Sequence, residues 1–159
     1  AVASDGVPRV QERHVLDPAS GDYRPESEVA LPDLGYIDAV ADLHHQGRYR
    51  EALHAFIEAD GDEAALARKV IAGYIAYAFE RVGEVTDTLD GIDRIMGMGF
   101  NWAPPGILVD VMGAEAAVRL IDGAGLGVPE ALAKAASSGD PAHFFNDPRI
   151  SKGRFFVAG

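Results

Sequence analysis

The run VIAGYIAYAF, from Val70 to Phe79, constrains the fold of this chain more than any other stretch. It is uncharged and apolar on nearly every side of a helix, yet far shorter than the roughly 20 apolar residues that span a bilayer. The run predicts a buried helix from Glu63 to about Val82, with Asp62 as its N-terminal cap. We expect this helix to lie centrally with neighbours packed all round, one of which approaches closely at Gly73.

Helical spacing of apolar residues, with Gly and Pro residues at the helix ends, predicts that the protein is mainly α. In the stretch after Tyr49, for example, Leu53, Phe56 and Ile57 recur at the spacing of one helix face. The other expected helices extend from Tyr36 to Gly47, Tyr49 to Ala59, Thr88 to Gly99, Pro104 to Gly113, Ala114 to Ile121 and Pro129 to Gly139.

The two ends of the chain have a different pattern from the middle. RHVLDPASGDYRP near the N-terminus and HFFNDPRISKGRFFV at the C-terminus each place turn residues between two short apolar arms, which is typical of a hairpin. We therefore expect one domain over 1–159. It has an extended strap or hairpin at 1–35, a helical body at 36–139 and a small tail hairpin at 140–159.

Composition limits the classes of partner. The chain has 159 residues, 48% of them hydrophobic, which is enough for one core. It has 25 acidic against 14 basic residues, a formal charge of −11, which repels nucleic acid and anionic membrane surfaces. The absence of cysteine and of a basic and apolar leader favours a cytoplasmic location.

Motifs for metal, nucleotide or nucleophile chemistry are weak. Glu51 and His54 have the Glu-x-x-His spacing of helical di-iron bundles, near His44, His45 and Glu58, but a second such motif is missing. A solvated helix face explains them better. GAGLG at 123–127 lacks a preceding predicted strand and the last glycine of a dinucleotide loop. We therefore assign no catalytic, cofactor-binding or metal residue within this chain.

One longer stretch, however, carries a family resemblance. KVIAGYIAYAFERVGEVTDTLDGIDRIMGMGFNWAPPGILVDVMG resembles the C-terminal helical domain of the 3-hydroxyacyl-CoA dehydrogenase family. The matching residues are Ile92, Asp93, Met96, Gly99, Phe100, Pro105, Asp110 and Gly113. Pro104, Gly106 and Ile107 stand where the family pattern has glycine, phenylalanine and glutamate, so the role of that glutamate is not carried over.

The resemblance implies a fold like the C-terminal domain of 6-phosphogluconate dehydrogenase. PRVQERHVLDPASGDYRPE and GRFFVAG look like the flanks of this domain in long family members that are fused to an enoyl-CoA hydratase. Arg68 and Lys69 stand about where the family has an Asn-Arg pair, which suggests the second, structural copy of a duplicated helical domain.

The reaction implied for the parent enzyme is NAD-dependent oxidation of 3-hydroxyacyl-CoA to 3-ketoacyl-CoA in fatty-acid β-oxidation. The catalytic histidine and its glutamate belong to a Rossmann domain, of which this sequence shows no pattern. The expected partners are therefore that Rossmann domain, the acyl-CoA substrate and a second copy of this chain. The expected role is cleft closure or subunit assembly. The alternative is a stand-alone, non-catalytic module that binds another protein or a small ligand.

Three residues test this interpretation. Asp110 is the only carboxylate in an apolar stretch, and we expect it to accept hydrogen bonds from backbone or a neighbouring side chain, with Trp102 packed beneath the turn. His143 begins a His-Phe-Phe-Asn string like that around the family's catalytic histidine, but it follows the helical motifs and has Asp147 inserted before Pro148. We interpret it as non-catalytic, and expect the isolated chain to be inactive.

Overall fold

The computed structural model describes residues 12–30, 32–100, 102–139 and 144–145. The chain divides into two compact units, Ala1–Pro32 and Asp33–Gly159. The division falls close to residue 35, where the sequence places the end of the head.

The N-terminal unit contains an antiparallel hairpin of β1 (His14–Leu16) and β2 (Tyr23–Pro25), with Val15 opposite Arg24. Asp17 organises the turn, because its carboxylate accepts the Ala19 amide at 2.9 Å and pairs with Arg24 at 3.5 Å. Gly21 takes a positive φ of 77°, which suits glycine. Asp17, Pro18 and Gly21, the turn residues noted in the sequence, therefore lie in the turn between β1 and β2. A short 3-10 turn, Glu26–Glu28, follows.

The second unit is helical. Its helices are α1 (Gly35–His45), α2 (Tyr49–Glu58), α3 (Asp62–Glu80), α4 (Leu89–Arg94), α5 (Pro105–Met112), α6 (Ala114–Gly123) and α7 (Glu130–Ser138). A five-residue π-helical segment, Ile95–Gly99, continues α4. The prediction of a mainly α protein is confirmed. The predicted tail hairpin lies outside the described residues.

Helix limits follow the proline and glycine signals closely. Pro105 occupies the first turn of α5, where a missing amide hydrogen costs nothing, and Gly113 ends that helix with a φ of 90°. Gly139 closes α7 in the left-handed conformation at a φ of 72°. The predicted side-chain caps are wrong, however. Gly61 is the N-cap of α3, and Thr88 precedes α4 without a side-chain capping hydrogen bond.

The hydrophobic core lies between α2, α3, α5, α6 and α7, with Phe145 also inside it. Every residue of α5 from Pro105 to Val109 is buried, as are Val111 and Met112. Leu53, predicted to face inward on α2, belongs to the core, and Phe56 and Ile57 pack against it. The apolar stretch that contains the double proline therefore forms the most completely enclosed helix.

The expectation that α3 is surrounded is wrong. Ala72, Ile75, Ala76 and Phe79 are buried, but Val70 is 57% exposed and Tyr77 62% exposed. The neighbouring helices cover one side of α3 and leave a second apolar side open. Gly73 is not a site of close helix approach either. A Cβ added at this position would lie 3.8 Å from a Leu126 methyl, its nearest neighbour beyond the helix, which is an ordinary contact distance. None of the helices in the described ranges is long and apolar enough to cross a membrane.

Candidate functional site

The two halves of the 92–113 motif meet at a buried carboxylate. Asp93 on α4 is fully buried, and its Oδ1 accepts the backbone amide of Gly106 on α5 at 2.9 Å. Its Oδ2 has no hydrogen-bond partner. Because a Cβ at position 106 would lie 2.3 Å from that Oδ2, only glycine allows the carboxylate to come this close. Gly106 therefore makes room for Asp93.

Burial raises the pKa of the Asp93 carboxyl from 3.8 to about 7, because the charged form loses its water. The Gly106 amide opposes this change, while the negative charges of Asp90 and Asp110 add to it. Burial also raises the pKa of Tyr74 above its usual range, and the charge of Asp93 contributes. Near neutral pH the carboxyl thus exists in both protonation states. Asp93 stabilises the contact of α4 with α5 and has no exposed surface for a substrate.

Asp110 holds a separate part of the chain against α5. Its two oxygens accept the backbone amides of Phe144, at 2.7 Å, and Phe145, at 3.0 Å. Phe145 is 2% exposed, and the Phe144 ring meets Phe79 edge-on at 5.0 Å between centroids. The prediction that Asp110 satisfies backbone donors is therefore confirmed. The carboxylate is half-buried and performs a structural task.

Tyr74 on α3 joins that helix to the segment before α5. Its hydroxyl donates to the Ala103 carbonyl oxygen at 2.9 Å, and its ring lies edge-on to Trp102 at 5.4 Å between centroids. Trp102 remains 52% exposed. The expectation that Trp102 packs beneath the turn is wrong, since the indole lies against the outer side of Tyr74 and extends into solvent.

Exposed apolar side chains continue along both sides of this ring pair. On α3, Leu66, Val70 and Tyr77 are exposed and lie on the same side as Tyr74, at the spacing of one helix face. Beyond Trp102, Met98 and Phe100 are both about two-thirds exposed, at 66% and 65%. We call the following residues together the α3 stripe: Leu66, Val70, Tyr74, Tyr77, Met98, Phe100 and Trp102. Exposed apolar patches mark interaction sites in soluble proteins.

A second feature lies elsewhere on the helical unit. An open groove of about 750 Å³ is lined by residues of α2, α3 and α6, and we call it the α2–α3–α6 groove. Its lining includes His54 and Glu58 of α2, Arg68 and Lys69 of α3, and Arg119 of α6. Arg68 and Lys69, which are adjacent on α3, therefore both face this groove.

The residues considered for metal binding do not form a metal centre. Glu51 pairs with Arg48 at 2.9 Å, and the His44 ring contacts Tyr49 at 4.8 Å between centroids. Within the described residues, no group of three or more His, Asp or Glu side chains is placed to hold a metal ion. His143 lies outside the described residues.

The GAGLG segment does not form a dinucleotide-binding loop. GAGLG follows α6 instead of a strand, and Gly123 is the last residue of that helix. The peptide amides of this stretch close the helix, since the amides of Ala124, Gly125 and Leu126 donate to carbonyls of the last turn. No catalytic step is assigned to NAD within this chain.

Two features were missed from the sequence. The groove brings Arg68 and Lys69 to Arg119, which lies on another helix, so no local spacing indicates their proximity. The α3 stripe does have a sequence signal, the recurrence of large apolar residues at 66, 70, 74 and 77, but apolar residues on the other sides of the helix obscure it. Comparison of the chain with protein-family models, curated proteins and solved structures finds no match.

Proposed function

We propose that this chain is the C-terminal helical domain of a 3-hydroxyacyl-CoA dehydrogenase of the long, fused type. In this proposal it contributes subunit assembly or closure of the substrate cleft, and a separate Rossmann domain supplies the catalytic base and binds NAD. The observation that supports an assembly role is the α3 stripe, in which Val70, Tyr77 and Phe100 are all more than half exposed. A partner surface that covers these side chains removes apolar area from water.

The contacts of the motif residues support a positioning role. Asp93 joins α4 to α5, and Asp110 joins α5 to Phe144 and Phe145. Neither carboxylate is free to act on a substrate, because Asp93 is fully buried and both oxygens of Asp110 accept backbone amides. A set of residues that fixes helices in place suits a supporting domain better than a catalytic one.

A second candidate function is a stand-alone module that binds a small ligand. The α2–α3–α6 groove favours it, since a volume of about 750 Å³ falls in the range of roughly 300–1,000 Å³ that is usual for ligand pockets. The coding sequence upstream of Ala1 distinguishes the two. A nucleotide-binding domain in the same reading frame supports the dehydrogenase, and a start codon directly before Ala1 contradicts it.

The isolated chain is expected to show no dehydrogenase activity. NADH oxidation with acetoacetyl-CoA should not exceed the rate without protein, because a general base works only beside a correctly placed substrate and nicotinamide. The assay compares the wild-type chain with His143→Ala. Turnover that is present in the wild type and lost in the variant would make His143 catalytic and overturn the non-catalytic role.

A further inference from the structure

The α2–α3–α6 groove has a charge opposite to that of the whole protein. The chain carries a formal charge of −11, yet Arg68, Lys69 and Arg119 line the groove, and among the described residues Glu58 is its only acidic lining residue. Three of the helical unit's described basic residues thus line one groove. The others are Arg48, Arg50, Arg81, Arg94 and Lys134. With His54 neutral, the lining carries a net charge of +2.

These cations are not neutralised by strong ion pairs. Arg68 donates from Nη1 to the Ala59 carbonyl at the end of α2, which fixes its guanidinium without cancelling its charge. Arg119 has an ion pair with Glu115 at 3.6 Å, but both side chains are more than 70% exposed, and such surface pairs contribute little. Lys69 makes no ion pair within the described residues. All three cations therefore retain charge for a ligand.

The rest of the lining is apolar or small. Ile57 of α2 and Leu120 of α6 contribute branched side chains, and Ala65, Ala116, Gly123 and Ala124 add little bulk. The groove is therefore amphipathic. An inorganic anion would contact only the charged part of the groove. A divalent cation would find a single carboxylate among the described lining residues.

We propose that the α2–α3–α6 groove binds an organic phosphate monoester. Its phosphate lies among Arg68, Lys69 and Arg119, and its organic part lies against Ile57 and Leu120. A phosphate monoester carries about −1.5 to −2 charge at pH 7, which matches the lining charge of +2. Arginine provides planar, paired donors for phosphate and lysine provides a mobile point charge. This inference is independent of the dehydrogenase proposal, since no residue of the α3 stripe takes part.

The test uses calorimetric titration of the whole chain with AMP as the probe. Inorganic phosphate and adenosine, the two halves of AMP, are titrated separately for comparison. AMP is expected to bind more tightly than either half. Lys69→Gln and Arg119→Gln should each weaken AMP binding about tenfold or more, because each removes a charge-assisted contact. The matched controls are Lys134→Gln and Arg48→Gln, which change the net charge equally but lie outside the groove.

Several outcomes would overturn the proposal. They are no binding of AMP, binding of phosphate alone as tight as that of AMP, or equal weakening by the groove and control variants. If a groove variant fails to fold, backbone NMR shifts of the wild-type chain decide the question. AMP should then shift amides around Arg68, Lys69 and Arg119, and shifts confined to other helices would contradict the site.

Discussion

At the scale of single residues, Asp93 is a buried carboxyl group whose hydrogen bonding is incomplete in the described structure. It is fully buried, and one of its oxygens has a donor while the other has none. A buried carboxylate with one hydrogen bond is costly when charged, because water no longer stabilises it. The contact of α4 with α5 therefore depends on protonation.

The free energy of unfolding is expected to fall as pH rises, because of Asp93. Its pKa is 3.8 when unfolded and about 7 when folded, so the native state binds more protons between these values. The stabilising contribution of the protonated Asp93 carboxyl is fully present below about pH 4, and it is lost as pH rises through about 7. The shift corresponds to a fall of roughly 4 kcal/mol in the free energy of unfolding.

Urea unfolding of the wild type and of Asp93→Asn isolates this contribution when it is measured across pH 4.5–8.5, which extends about 1.5 units above the folded pKa. The amide does not titrate, so the difference between the two proteins should change with pH and then level off above about pH 7. Asp87→Asn, at an exposed position before α4, is the control. A constant difference for Asp93→Asn would show that the carboxyl titrates normally.

Gly106→Ala should destabilise the protein, although alanine favours helices. Its methyl group would stand 2.3 Å from Asp93 Oδ2, so the buried carboxylate must move. The expected loss in the free energy of unfolding is roughly 1–3 kcal/mol from overpacking, and more if the hydrogen bond to Oδ1 breaks. Gly123→Ala on α6 is the control, since nothing lies within 4 Å of its added Cβ. Equal stability of both variants would contradict the close contact.

At the scale of elements, α5 organises its surroundings through both ends. The Gly106 amide meets Asp93 of α4, while Asp110, one turn further on, holds Phe144 and Phe145. Both contacts use backbone amides outside regular helix pairing. An enclosed helix thus positions α4 and the Phe144–Phe145 segment.

Asp110→Ala is expected to lower the free energy of unfolding by roughly 1–3 kcal/mol, because the amides of Phe144 and Phe145 lose their acceptor. Hydrogen exchange at these two amides should accelerate more than elsewhere. Asp122→Ala, which removes an exposed carboxylate from α6, serves as the comparison. An unchanged melting temperature for Asp110→Ala would remove the structural role of this carboxylate.

Most element limits could be predicted from the sequence because they are local. Gly47, Pro105, Gly113 and Gly139 act through their own backbone conformations, so the chain around them suffices. The caps at Asp62 and Thr88 were predicted wrongly because a cap depends on the orientation of the side chain as well as its type. The Asp93–Gly106 contact and the groove depend on how helices pack. Their residues have no local signal that indicates proximity.

At the scale of the whole molecule, self-association through the α3 stripe is expected at tens of micromolar, an order of magnitude suited to an ordinary stable interface. Val70→Glu should give a monomer, because it places a charge where apolar side chains meet. Ile37→Glu on α1, also exposed and apolar, should leave the association unchanged. Sedimentation equilibrium measures both.

Each copy carries a formal charge of −11, so salt should strengthen the association by screening the repulsion. A wild-type chain that sediments as a monomer, or a dimer that Val70→Glu does not affect, would show that a second copy does not cover the stripe.

Trp102 also has an optical consequence. It is the only tryptophan of the chain, and it stands half in water beside Tyr74 at the middle of the stripe. Its fluorescence therefore reports on this surface alone. Cover by any apolar partner shifts the emission to shorter wavelengths and shields the indole from dissolved quenchers, so occupancy can be followed without attaching a dye.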